Sequence, residues 1–253
     1  MKLLLLLALI QGGTGDPCAR SVADARIDQL LEAAGATGVV LVWKEGETVC
    51  RSNAPGGARD RSIPASTFKI PNSLIALETG VIRDEHAVFT WDGVERQIAS
   101  WNRDHDLASA IRYSAVWYYQ ELARRIGPER MQTWIDRMGY GNRDISGGID
   151  RFWLDGGMRI SPREQIAFLH RLVHDRLPVS PRSQAIVRRI LVQDYDGPGA
   201  LYGKTGWAVR TTPEVGWFVG WFERGDDRWF FATRLDIEAP AHVRARRSVS
   251  IAV

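Results

Sequence analysis

Along the chain the apolar positions change period twice, from continuous runs to helical stripes and back to runs. Residues 20 to 34 carry apolar positions at helical spacing, and "GVVLVWKEG" (38–46) is an apolar run closed by a polar turn, which predicts a buried strand. "NAPGGARDR" (53–61) predicts a loop. Helical spacing then dominates. It predicts helices over Ser66–Thr79, closed by Gly80, and over 107–127, 128–139, 161–177 and 180–192. Ser161, Pro162 and Glu164 form a capping box with proline at the first helical position, and Ser180-Pro181 repeats the start. After "DYDGPGA" the runs return: "VGWFVGWFE" (215–223) and "DRWFFATRLDI" (227–237) flank Arg224-Gly225-Asp226 and predict a hairpin. "HVRARRSVSIAV" begins a final helix. This order predicts an α/β (α+β) fold: an antiparallel sheet built from both chain ends and flanked by helices, with an all-α subdomain inserted. The inserted part runs roughly 66–192, between sheet-forming segments 16–65 and 193–253.

The chain of 253 residues opens with "MKLLLLLALIQGGTGDPC", a lysine, an apolar run and small residues. That pattern predicts a secretory signal over residues 1–15, cleaved near Gly15 and too short to span a bilayer, so the protein is expected in the periplasm. Residues 16–253 are then expected to form a single domain. Without the leader the formal charge is 33 − 1 − 30 = +2. The arginines are scattered, with "RARR" (244–247) the one cluster, which argues against nucleic-acid binding. Export permits a disulfide, and the two cysteines, Cys18 and Cys50, are expected to bridge, with two free thiols as the alternative.

Charge composition changes the picture at one point. The 33 basic residues include only four lysines, Lys2, Lys44, Lys69 and Lys204. Lys69 sits in "IPASTFKIPN" (63–72) among apolar neighbours, three places after Ser66. Arginine stays charged in essentially any setting, whereas a buried lysine can lose its proton. A serine at the start of a helix with such an amine one turn later places a nucleophile and a base in reach of each other. A capping serine followed by a surface lysine is the bland alternative.

Lys204 lies in "YGKTGW" (202–207), where glycines permit close backbone approach, and Lys204 with Thr205 suits an anionic substrate group such as a carboxylate. The segment mimics a phosphate-binding loop. However, Pro198 stands where that motif requires its first glycine, and strand rather than helix follows, so nucleotide binding is excluded. His170 and His174 are spaced i, i+4 on a helix with no third ligand evident, and are expected to be a solvated face. No Gly-x-Ser-x-Gly occurs, so a Ser-His-Asp triad lacks support.

In order, Ser66-Thr67-Phe68-Lys69, Ser114-Ala115-Val116, Tyr140-Gly141-Asn142, Trp153-Leu154-Asp155-Gly156 and Lys204-Thr205-Gly206 resemble the class D (oxacillinase-type) serine β-lactamases, over nearly the whole chain after the leader. The resemblance implies a β-lactamase/transpeptidase-like fold and a hydrolase that opens the ring of penicillin-type antibiotics through an acyl-enzyme, conferring resistance. It implies that Ser66 attacks and that the N–H groups of Ser66 and Trp207 hold the oxyanion. Ser114 would pass a proton to the leaving nitrogen. Lys204, Thr205, Gly206 and Arg246 would bind the substrate carboxylate, with Arg244 and Arg247 as competitors for the last role. It further implies that Lys69 is N6-carboxylated, with CO2 or bicarbonate needed and no other cofactor or metal. Phe68, Val116, Trp153 and Leu154 would form the apolar pocket that favours the neutral amine, and the Trp153 N–H would hold the carbamate. Partners would be small β-lactams, with no nucleic acid or stable membrane insertion, and the protein would be a monomer or homodimer. The alternatives are a penicillin sensor domain or an inactive or transpeptidase-like relative, which would acylate without turnover. Asp155 and Arg210 are expected to pair across the site mouth.

Overall fold

The computed structural model describes residues 16–253; the expected leader lies outside the described residues. The order of elements is β1 (Ser21–Ala23), α1 (Ala25–Ala33), β2 (Gly38–Lys44) and β3 (Cys50–Ser52), then α2 (Lys69–Glu78), α3 (Leu107–Arg112) and α4 (Val116–Ile126). Next come α5 (Pro128–Met138), α6 (Pro162–Val173), α7 (Pro181–Ile190), β4 (Ala200–Ala208), β5 (Glu214–Arg224), β6 (Asp227–Ile237) and α8 (Pro240–Ala252). None of these helices is long and apolar enough to cross a membrane.

The strands form one sheet in the order β1-β3-β2-β6-β5-β4, so segments from the two ends of the chain meet where β2 pairs with β6. The expected antiparallel sheet needs one correction: β1 pairs parallel with β3, which makes the sheet mixed. Parallel neighbours need a long crossover, and α1 and β2 intervene between β1 and β3 to supply it. The two-residue period of each strand divides the core. Leu41 and Trp43 of β2, Trp217 and Val219 of β5, and Phe230 and Ala232 of β6 face the helical segment. Val40, Leu235 and Ile237 face the other way, onto Ile27 and Leu31 of α1 and Val249 of α8. A disulfide joins Cys18 to Cys50, and closing a loop of this length is worth about 3–4 kcal/mol in the chain-entropy account.

Three predicted elements differ. The helix expected over 107–127 is two, because Ser114 takes a left-handed φ of 58° between α3 and α4. The helix expected to begin at Ser66 starts as a 3₁₀ turn, Ala65–Phe68, and becomes α-helical only at Lys69. The segment 20–34 spends its first residues on β1 before α1, whose N-cap is Asp24. The capping box of α6 forms as expected, with Ser161 and Glu164 bonded reciprocally.

Candidate active site

Ser66 is presented by an unusual backbone. Ala65, directly before it and first in the 3₁₀ turn, has φ 48°, a left-handed conformation that alanine rarely adopts. Thr67 braces the turn by donating its hydroxyl to Pro64 O at 2.8 Å, and Gln165 of α6 donates to that hydroxyl at 2.9 Å. Lys69 then opens α2, and its Nζ lies 2.8 Å from Ser66 Oγ. Lys69 is fully buried, and among the described residues no carboxylate forms a salt bridge with it. Burial, with the nearby charge of Lys204 as a second cause, holds its pKa well below the ordinary lysine value. The Tyr119 ring lies beneath the amine, 5.2 Å from its centroid. Its depressed pKa and its contact with the serine make this lysine a candidate base.

The second lysine reaches the same place from the sheet. β4 is an edge strand that packs against the 3₁₀ turn, and Gly206 makes the fit possible. A Cβ on Gly206 would lie 2.9 Å from Pro64 O and 3.3 Å from Thr67 N, both backbone atoms. Two residues earlier on the same face, Lys204 Nζ donates to Ser114 Oγ at 3.0 Å and to Thr205 O at 3.0 Å. Burial, then the charge of Arg246, lowers its pKa to about 7. Ser114 can meet this amine because its left-handed φ turns it out of the helix break, rather than along a helix face as its sequence neighbourhood suggested.

Strand parity places the backbone donor. Gly203 N donates to Leu191 O and Leu201 O accepts from Gln193 N, so odd-numbered residues of β4 turn their peptide groups away from β5. Trp207 has the same parity, and its N–H faces outward beside the turn that carries Ser66. Its indole is partly exposed and donates to Glu214 at 2.7 Å. Among the three arginines of α8, Arg246 is the one at β4: its Nη1 donates to Gly206 O, and burial lowers its pKa to about 10. Arg247 is engaged by Gln193 and Asp194, and Arg244 is exposed.

Phe68, the neighbour of Lys69 in sequence, belongs to a buried aromatic cluster. Phe68 stacks on Trp153 at 5.3 Å and packs edge-on to Tyr140 and Phe152. Trp153 is fully buried, yet among the described residues its Nε1 has no hydrogen-bond partner. A buried indole N–H without an acceptor is costly, which marks a place where an acceptor belongs. Val116 and Leu154 line a cavity of about 280 Å³ together with Trp101, Trp117, Arg151 and Arg210. At its edge Asp155 bonds Arg151 and Arg210, each at 2.5 Å, and Arg151 first, then Arg210, holds its carboxyl below the usual range. Asn142 is structural: it accepts from Arg159 N at 2.8 Å and donates to Gly157 O at 2.9 Å.

Sequence reasoning missed Ala65, Tyr119 and Gln165. Tyr119 belongs to the buried stripe of α4 and was legible as core, but not as the floor under an amine. Nothing local distinguishes Gln165 from any glutamine in a first helical turn. The expectation of a solvated histidine face is overturned. The His170 ring packs edge-on to Trp43 at 5.1 Å and Phe230 at 5.6 Å, and both imidazoles turn toward Glu45. The partner came from 129 residues away, which the helix sequence could not announce.

Comparison with known proteins agrees with this geometry. Residues 36–250 match the penicillin binding protein transpeptidase domain. The chain is 49% identical to beta-lactamase OXA-48 of Klebsiella pneumoniae over 213 residues, 84% of this chain and 80% of that one. It is 49% identical to the probable beta-lactamase YbxI of Bacillus subtilis over 179 residues, 71% of this chain and 67% of that one. Among solved structures, the class D β-lactamase YbXI from Nostoc superimposes with a TM-score of 0.87 at 42% identity, covering 89% of this chain and 95% of that one. The chain belongs to the class D β-lactamases.

Proposed function

We propose that this protein hydrolyses β-lactam antibiotics through an acyl-enzyme on Ser66, with Lys69 N-carboxylated, and thereby confers β-lactam resistance. Ser66 Oγ attacks the lactam carbonyl, the Ser66 and Trp207 N–H groups hold the developing oxyanion, and Ser114 passes a proton to the ring nitrogen as the C–N bond breaks. Lys204, Thr205 and Arg246, with the backbone freedom of Gly206, bind the substrate carboxylate. Val116 and Leu154 line the apolar entrance. We also assign residues 1–15 as an export leader and residues 16–253 as one periplasmic catalytic domain.

The observation that carries the reading is a fully buried amine with a strongly depressed pKa touching Ser66, together with a buried Trp153 N–H that has no acceptor among the described residues. A neutral Lys69 Nζ can add to CO2 with loss of one proton, and the carbamate so formed supplies a general base for acylation and deacylation. Burial disfavours charge on the amine, and in this reading the Trp153 N–H, stacked beside Phe68, offers a hydrogen bond to a carbamate oxygen.

The test is turnover of a chromogenic cephalosporin in degassed buffer with and without bicarbonate, together with a ¹³C spectrum after labelling with ¹³C-bicarbonate. Bicarbonate should raise the rate and a carbamate carbon should appear that Lys69→Ala lacks, while Lys69→Ala should trap the acyl-enzyme. Full turnover with no labelled carbon would overturn the carbamate. A single stoichiometric burst would instead identify a penicillin sensor.

A further inference from the structure

On the opposite end of α6 from Gln165, three side chains from two separate elements converge. His170 and His174 lie one helical turn apart with ring centroids 4.7 Å from each other. Glu45 follows β2, where its backbone N–H is tied to Arg228 O at 2.8 Å. Its Oε1 faces both histidines: His170 Nε2 stands 3.4 Å away, and His174 Nε2 is in direct contact. Its Oε2 is held separately, by Arg228 Nη1 at 2.8 Å, and Glu223 holds Arg228 Nε at 2.9 Å. One ligand atom from each of the three residues falls within 4.8 Å of the others.

We infer that Glu45 Oε1, His170 Nε2 and His174 Nε2 form a binding site for a zinc-class divalent cation that ties α6 to the sheet. Four features point there. The donor set is two imidazoles and one carboxylate, which suits zinc, and the i, i+4 histidines put two ligands on one helix face. A tetrahedral zinc with bonds of about 2.0–2.1 Å separates its ligand atoms by roughly 3.3–3.5 Å; the His170–Glu45 separation of 3.4 Å has that value, whereas the His174–Glu45 contact must open to admit the ion. The surroundings fix the ligands: Trp43 and Phe230 wall the His170 ring edge-on, and Arg228 holds the carboxylate oxygen that does not face the histidines. Access is preserved, since the side chains of His170, His174 and Glu45 are 14%, 29% and 28% exposed, so that water can fill the fourth position. The competing description is a proton shared between His174 and Glu45 with no metal role. The inference does not depend on the chemistry proposed for Ser66.

The experiment uses tag-free protein stripped with EDTA and dialysed. Zinc chloride titrated by calorimetry should bind at one equivalent, and at a hundredfold excess over Kd the melting temperature should rise by about 5–10 °C. His174→Gln and Glu45→Gln should each weaken binding by at least tenfold, with β-lactam turnover unchanged. Cobalt(II) should give tetrahedral d–d absorption with the unaltered chain at one equivalent, a readout that needs no variant to fold. Absence of saturable zinc binding, an octahedral cobalt spectrum, or equal binding by a His170→Gln/His174→Gln double variant would overturn the site.

Discussion

Lys204 Nζ lies 3.0 Å from Ser114 Oγ, across 90 residues of sequence, and so joins the edge strand of the sheet to the break between α3 and α4. The amine is deeply buried and its pKa is lowered to about 7, first by that burial and then by Arg246. At pH 8 most of it is neutral, and a substrate carboxylate beside it favours the charged form and raises the pKa. Binding of a β-lactam at pH 8 should therefore take up a proton, approaching about one per site as the pKa moves from 7 toward the ordinary lysine value. Calorimetry of an acylation-deficient Ser66→Ala variant in buffers of different ionisation enthalpy measures this. Lys204→Arg, charged throughout, should show no uptake; equal uptake in both would locate the proton elsewhere.

Lys69→Met replaces the buried amine by an apolar chain of similar length. The amine sits fully buried without a carboxylate, and its pKa is depressed chiefly by that burial. A depressed lysine pKa means the unfolded chain binds more protons at neutral pH, so stability rises with pH from the folded pKa up to the unfolded one. Methionine abolishes that slope and removes the desolvation cost. In degassed, bicarbonate-free buffer, where the parent amine is not carboxylated, the variant should melt about 2–8 °C higher at pH 7, a gain of roughly 1–2 kcal/mol, and it should lack turnover even when bicarbonate is restored. The stability gain should shrink as the pH approaches 10. A variant that melts lower at pH 7 would contradict the account.

Gly206→Ala should be far more damaging than a methyl group suggests. The added Cβ would meet Pro64 O at 2.9 Å and Thr67 N at 3.3 Å, so β4 or the turn carrying Ser66 must move. Such overpacking costs about 1–3 kcal/mol, and a displacement at the nucleophile costs about 10²-fold in acylation. Stopped-flow acylation and thermal melting measure the two effects. An acylation rate within threefold of the parent would refute the close fit.

Arg210→Ala should alter selectivity without much affecting stability. Arg210 pairs with Asp155 at 2.5 Å beside the cavity that Val116 and Leu154 line. Arg151 retains Asp155 at 2.5 Å, so the carboxylate keeps a partner. An exposed pair contributes little, and the melting temperature should fall by less than about 3 °C. The ratio of kcat/KM between bulky and small β-lactams should change several-fold. An unchanged ratio across a substrate panel would remove Arg210 from the entrance.

Sequence alone determined what short-range chemistry decides. The strand runs around Val40 and Trp217 and the capping box at Ser161 each lie within one element, where period and local hydrogen bonding are sufficient. The motifs around Ser66, Lys69, Ser114 and Lys204 were legible because residue type and order survive without coordinates. Tertiary structure decided everything that depends on two distant segments meeting. The left-handed turns at Ala65 and Ser114 are imposed by packing, since neither residue prefers them. The depressed pKa of Lys69 needs complete burial and the nearby charge of Lys204, and desolvation belongs to the packed chain, not to any residue within it. Glu45 reached His170 and His174 only because β2 and α6 pack together, and no local pattern records which surfaces will meet.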